Sequence, residues 1–347
     1  MAYTTIDDPS AHFQTKIYTG NGSSQSLTFD GNSDMQPDWL WTKSRGDNSD
    51  PIMRDSSRGI ANRLLVHATD AEGGATGTTS FDSDGFSLDS TGTVNANTQT
   101  FVAWGWKGNG GTTSSDSNGD QTSTVQVNTT AGFSIATFAA SSSAGQTVGH
   151  GLGAAPEFYI WKSRARDDNW YIYHKAAGKG GYLRLNTTDA HTSNTNLWSN
   201  TDPSSTVIYY GGNSLSTNNE NHVLYSFTPI QGYSQFGTYE GNGSEQGPFV
   251  YLGFKPEWIL FKNLGAAEEW VLQDTTRNPI NPVTKNIRAD SNIAEADASS
   301  LDIDFLSNGF KNRSDQAQLN SDGVNYAYIA FAEHPFVSSE GVPTTAR

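Results

Sequence analysis

The sequence predicts an all-β fold built as three tandem antiparallel β-sandwich modules of the jelly-roll or lectin-like kind. Three observations lead there: a composition of aromatics and turn formers, an internal repeat of about one hundred residues, and an alternating aromatic run closing each copy.

The composition sets the class. Only 35% of the residues are hydrophobic although 12% are aromatic, and the chain holds 35 Gly. Many rings, few long aliphatics and abundant turn residues suit short strands joined by tight turns rather than helix bundles. At 347 residues the chain also exceeds what one core usually organises, so two or three domains are expected.

The repeat is visible directly. Pro37-Asp38-Trp39-Leu40-Trp41-Thr42-Lys43 is matched by Pro156-Glu157-Phe158-Tyr159-Ile160-Trp161-Lys162 and by Pro256-Glu257-Trp258-Ile259-Leu260-Phe261-Lys262. Eighteen residues beyond each Pro stand Asp55, His174 and Asp274, each ending a further strand-like run. Copies one and three also share Asp55-Ser56-Ser57-Arg58 with Asp274-Thr275-Thr276-Arg277, and Tyr18-Thr19-Gly20-Asn21-Gly22 with Tyr239-Glu240-Gly241-Asn242-Gly243. The closing runs are Val102-Ala103-Trp104-Gly105-Trp106, Val223-Leu224-Tyr225-Ser226-Phe227 and Ala327-Tyr328-Ile329-Ala330-Phe331. Their period of two marks half-buried strands.

The modules then span residues 12–109, 123–235 and 236–337, with an extended tail at 338–347. A Gly/Ser/Asp/Thr stretch begins at Gly108, and residues 110–122 read as a flexible linker on which the first module swings. No such stretch separates the second and third modules, which should form one rigid block. Asp84-Gly85 and Asn308-Gly309 predict type I′ hairpins. Pro at the head of its strand sits where a missing N–H is tolerated. Residues 293–300 are the one helix-like stretch.

A net charge of −15 argues against nucleic acid and anionic membrane surfaces as partners. There is no Cys, which removes disulfides, thiolate metal sites and thiol nucleophiles. The first ten residues hold Asp7 and Asp8 and no apolar core, and no apolar run is long enough to span a bilayer, so synthesis in a cytoplasm without a signal peptide is expected.

No catalytic constellation emerges, and the expectation is a protein that is not an enzyme and needs no cofactor. Glu295-Ala296-Asp297-Ala298-Ser299-Ser300 lacks the final acid of a sandwich-glucanase pattern. The seven His stand singly, without zinc spacing. Gly149-His150-Gly151-Leu152-Gly153-Ala154 leads into Pro156 and a strand, so it is a turn and not a dinucleotide fingerprint. Asp82-Ser83-Asp84-Gly85 and Asp116-Ser117-Asn118-Gly119-Asp120 resemble the start of calcium loops but read as turns. Asp38, Glu157 and Glu257 read as scaffold acids partnering Lys43, Lys162 and Lys262, so Glu257→Gln should cost about 1 kcal/mol. Trp198, Tyr209 and Tyr210 fall outside the shared strand frame, which makes them the candidate contacts for a glycan or a protein partner.

Tyr328-Ile329-Ala330-Phe331-Ala332-Glu333-His334-Pro335-Phe336, the terminal Gly341-Val342-Pro343-Thr344-Thr345-Ala346-Arg347, the stretch from Phe305 to Phe310 and the Tyr-x-Gly-Asn-Gly motif resemble the repeat-bearing virion surface proteins, tail-fibre-like or lectin-like, of marine tailed phages. The resemblance implies a structural virion protein exposed on the particle as head decoration or short tail appendage. Its partners would be other capsid or tail proteins and further copies of itself. The alternative is a receptor-binding, lectin-like protein that recognises host surface glycan. No heptad, β-helix or Gly-X-Y stalk is present, which favours a compact unit over a long fibre.

Overall fold

The computed structural model describes residues 2–74 and 76–345. The chain is all-β, with antiparallel sheets throughout and helix confined to single turns such as Gly92–Asn95 and Gly212–Leu215.

The three Pro-acid-aromatic segments take the same place in three large sheets. Trp39–Ser44, Phe158–Ser163 and Phe254–Asn263 each lie between the closing strand of their copy and the strand that ends at Asp55, His174 or Asp274. In copy one the order across the sheet is Phe13–Thr19, Thr100–Trp106, Trp39–Ser44, Ile52–Asp55, Asn62–Leu65, Gly73–Gly74. Copy three repeats that order, and copy two repeats it with Ser114–Asp116 and Ser123–Asn128 added beyond Phe133–Ala140. Pro256, unlike Pro37 and Pro156, falls inside its strand, where a register shift on either side spares the ladder the missing donor.

These strands are buried on both faces, not one. Along Trp39–Ser44 every residue is buried, and the two faces go to different cores. Leu40 packs with Phe86, Leu88 and Phe101 under the small sheet of its own copy, whereas Trp39 and Trp41 point to a core shared by all three copies. In that shared core Phe13 stacks on Phe331 at 5.3 Å, Trp39 on Tyr225 at 4.8 Å, and Phe158 on Phe236 at 5.7 Å. Each pair joins a different two of the copies, so the ring contacts close a circle.

The turn motifs resolve into close approaches. A Cβ on Gly20 would lie 2.2 Å from the Ala96 carbonyl oxygen, and one on Gly241 would lie 2.2 Å from that of Ser321. Asn95 and Asn320 then accept from the Asn21 and Asn242 amides, at 3.0 and 2.9 Å, and fix the following turn. The hairpins expected at Asp84-Gly85 and Asn308-Gly309 form one residue earlier, with Gly85 and Gly309 as the first paired residues of the returning strand. Neither Asp84 nor Asn308 has the positive φ of a type I′ turn. Glycine is needed because the Leu27 and Val250 carbonyl oxygens come within 1.9 and 2.0 Å of where its Cβ would be.

Two further expectations are corrected. Residues 108–122 are not a hinge: the amides of Gly108, Gly110 and Gly111 donate to Asp38, and Ser114–Asp116 adds to the sheet of copy two. Trp39 and Trp106 also sit in the shared core, which packs copy one against the other two. Residues 293–300 form no α-helix: Ala296–Asp297 is a short strand on the edge offered by Lys285–Arg288, and only a single 3-10 turn, Ser299–Leu301, follows it. In the tail, Val337 forms an isolated antiparallel bridge with Pro343, while Ala346 and Arg347 lie outside the described residues.

Candidate functional site at the junctions between copies

The repeated lysines mark the junctions. Lys43 Nζ donates to the Asn292 carbonyl at 2.8 Å, Lys162 to that of Thr69 at 2.8 Å, and Lys262 to that of Thr188 at 2.9 Å. Each also donates to a carbonyl of its own copy, at Ser49, Asp168 and Glu268. Copy one thus grips copy three, copy two grips copy one, and copy three grips copy two. Burial pulls all three ammonium groups down to about 8. The acids one residue after each Pro are on the other side of the strand, since five positions separate acid from lysine, and the expected pairing does not form.

Two junctions carry the same ionic network. Between copies one and two, Glu72 accepts from Arg164 at 2.7 and 2.9 Å and from Arg58 at 2.7 Å. Arg58 is held in turn by Asp55, which also accepts the Tyr225 hydroxyl at 2.6 Å. Between copies three and one, Glu295 accepts from Arg45 at 2.8 and 3.0 Å and from Arg277 at 3.0 Å. Asp274 holds Arg277 at 2.6 Å and accepts the Trp104 indole N–H at 3.1 Å. Burial alone would raise the Glu72 and Glu295 carboxyls, yet the arginines hold both below the ordinary range.

The third junction, between copies two and three, has none of these charges. Backbone bonds establish the correspondence: the amides of Glu72, Glu295 and His191 donate to the carbonyls of Arg164, Arg45 and Leu264. The arginine eight residues after Pro has become Leu264, the arginine twenty-one residues after Pro has become Ala177, and the glutamate has become His191. The anchoring aspartate has become His174, which is buried and pulled down to about 4. Ile329 replaces Trp104 and Tyr225, so His174 Nε2 donates instead to the Tyr328 carbonyl at 3.2 Å. Where long side chains fill the other two junctions, a cleft of about 490 Å³ opens here, walled by Ala177, His191, Thr238, Leu264, Val324 and Asn325.

The three acids after Pro have separate fates. Asp38 is cradled by backbone amides as above, and Glu157 pairs with Lys175. Glu257 has no ion-pair partner among the described residues. It lines a small cleft with Asp30 and Glu333, and burial pushes its carboxyl up to about 8, with the charges of Glu333 and Asp274 acting in the same direction.

The residues selected from sequence as glycan contacts lie elsewhere. All nine Trp are buried, and Trp198 is fully enclosed, donating to the Gly181 carbonyl at 2.9 Å with its ring edge-on to Tyr159. Tyr210 is likewise enclosed, and its hydroxyl accepts the Ser141 amide. Neither offers a ring face to a sugar; their departure from the repeat frame reflects a private core for copy two. Tyr209 is half-buried on the strand Val207–Tyr210. In the calcium-like loops, Asp82 accepts Ser80 and Ser87, and Asp116 accepts the Asn118 amide, so both serve their turns. Among the described residues no three His, Asp or Glu side chains converge as a metal site, and no helix is long and apolar enough to cross a membrane.

Residues 8–335 match the family described as "Domain of unknown function (DUF7483)", and the chain belongs to that family. The match runs through all three copies and the core they share as a single unit. No curated protein and no solved structure matches the chain.

Sequence reading missed the junction network. Its signal was present in the shared Asp-x-x-Arg of copies one and three and in its absence from copy two, but the third member comes from a loop. Glu72 and His191 stand 35 residues after Pro37 and Pro156, whereas Glu295 stands 39 after Pro256, so the two acids do not align by spacing.

Proposed function

We propose that the chain is three tandem antiparallel sandwich modules closed into one rigid ring, and that it serves as a non-enzymatic structural protein on the surface of a tailed-phage particle. As head decoration or short tail appendage it would bind other virion proteins and further copies of itself. One observation carries the reading: the aromatic core common to all three copies. A core of that kind fixes the three small sheets on the outside of one block, so one face can dock while another points outward.

Side-chain differences among those outer sheets support a docking role. In copy three Phe249 and Tyr251 are 47% and 52% exposed on the edge strand Phe249–Tyr251. The position of Phe249, opposite Lys311, is held by Ser26 opposite Ser87 in copy one. An exposed aromatic pair on a free strand edge suits protein contact. The test is retention on purified particles through high salt and nuclease. Wild-type protein should stay bound and the Phe249→Asp, Tyr251→Asp double variant should be shed while remaining folded. Recovery of the wild type only in the soluble lysate would overturn the assignment.

A further inference from the structure

We propose that the cleft between copies two and three is a binding site for a neutral sugar, taking one pyranose residue of a glycan. The inference stands apart from the assembly reading, because a particle-bound protein and a free one would bind alike.

The first support is the substitution pattern. The same chain builds the junction three times, and in two of them an Arg–Glu–Arg–Asp network fills the space. At the third, four positions change together, to Leu264, His191, Ala177 and His174, and none of the replacements is charged at neutral pH, since burial lowers both imidazoles. Structural need does not account for this, because the charged version demonstrably fits the fold.

The second support is the chemistry of the walls. Ala177, Leu264 and Val324 form an apolar side, and the Thr238 and Asn325 side chains supply uncharged donors and acceptors, while the Gly265 and Gly323 amides are committed to Asn263 Oδ1 and the Gly241 carbonyl. His191 stands between, its Nε2 buried over Gly181 without a hydrogen-bond partner. Absence of charge disfavours phosphates, carboxylates and ammonium groups, whose desolvation would go uncompensated. Neutral polar groups facing an apolar wall match a pyranose, which has a C–H face and hydroxyls that both donate and accept. The volume of about 490 Å³ falls within the ordinary range for small-ligand sites, roughly 300–1,000 Å³. The cleft is open at its rim, so the bound residue could belong to a longer chain.

The experiment uses the full chain with galactose, glucose, fucose and rhamnose as probes and galacturonic acid as the charged control. Binding is read by saturation-transfer NMR and by the His191 ring signals. At least one neutral sugar should bind with millimolar affinity and shift His191, and the acid should bind roughly tenfold more weakly or not at all. The variant carrying His174→Asp, Ala177→Arg, His191→Glu and Leu264→Arg rebuilds the network of the other junctions and should lose binding. Should it fail to fold, Val324→Trp blocks the cleft from its rim and should do the same. Silence from every neutral sugar at tens of millimolar, equal binding of the acid, or undiminished binding by a folded variant would each overturn the proposal.

Discussion

The two charged junctions and the uncharged one solve the same packing problem with opposite chemistry. At the first two, a partly exposed arginine of one copy, Arg164 or Arg45, reaches across to the glutamate of its neighbour, where a fully buried arginine of that neighbour, Arg58 or Arg277, also binds, and long side chains fill the space. At the third, small and apolar side chains make the contact and leave a cleft, with the lysine bridge of Lys262 still in place. The comparison separates what closure of the ring requires from what it tolerates. The shared aromatic core and the three lysine bridges recur at every junction, whereas the ionic network is dispensable at one.

The largest expected effect breaks a charged junction. Arg277→Ala leaves Asp274 buried without its cation and takes one of two from Glu295, and it should cost about 3–5 kcal/mol in chemical denaturation. His191→Ala, at the matching uncharged junction, should cost under about 1 kcal/mol. Equal costs would show that the two kinds of junction do not differ energetically.

Next come the lysines. Lys262→Met should destabilise by about 1–2 kcal/mol, because two part-buried carbonyls, those of Thr188 and Glu268, lose a charged donor. Lys43→Met and Lys162→Met should behave alike, and a wide spread among the three in urea titrations would deny them a common role.

Acid should find the junctions unequal. His174 and His222 have folded values of about 4 and about 3, below their ordinary 6.5, because burial disfavours the cation. In each ring one nitrogen accepts and the other donates: His174 Nδ1 takes the Ala176 amide, and His222 Nδ1 takes the Trp161 indole N–H while Nε2 meets Thr217. Arg166 and Lys162 add positive charge near His222. A depressed histidine contributes stability that is present above 6.5 and lost as pH falls towards its folded value. Glu72 and Glu295, held below 4.5, lose theirs only under more acidic conditions. Between pH 6.5 and 4.5 copy two and its junction with copy three should therefore weaken first, which histidine NMR combined with denaturation at several pH values would show.

The smallest effect concerns Glu257. Its folded value of about 8 lies above the ordinary 4.5, so the carboxyl is comfortable only when protonated and costs stability as pH rises from 4.5 to 8. Glu257→Gln should then be neutral at low pH and mildly stabilising at pH 8, the reverse of the loss expected from sequence. A lower melting temperature for the variant at pH 8 would restore the scaffold-pair reading.

Local pattern was sufficient for much of this protein. The Pro-acid-aromatic segments and the alternating closing runs identified the strands, because period-two hydrophobicity is a property of neighbouring residues. Correspondence among the copies predicted which strands would be equivalent, since equal spacing across a turn preserves register.

What the tertiary structure decided is everything that depends on contact between copies. Trp39 and Leu40 are both apolar in sequence, but only ring closure sends one to the shared core and the other to a private one. Trp198 left the repeat frame in sequence, and only packing shows it buried. The lysine partners are backbone carbonyls, which no side-chain pattern encodes. The cleft at Leu264, Ala177 and His191 exists because residues far apart in the chain lose their charges at one meeting point, and the fold alone sets that meeting point.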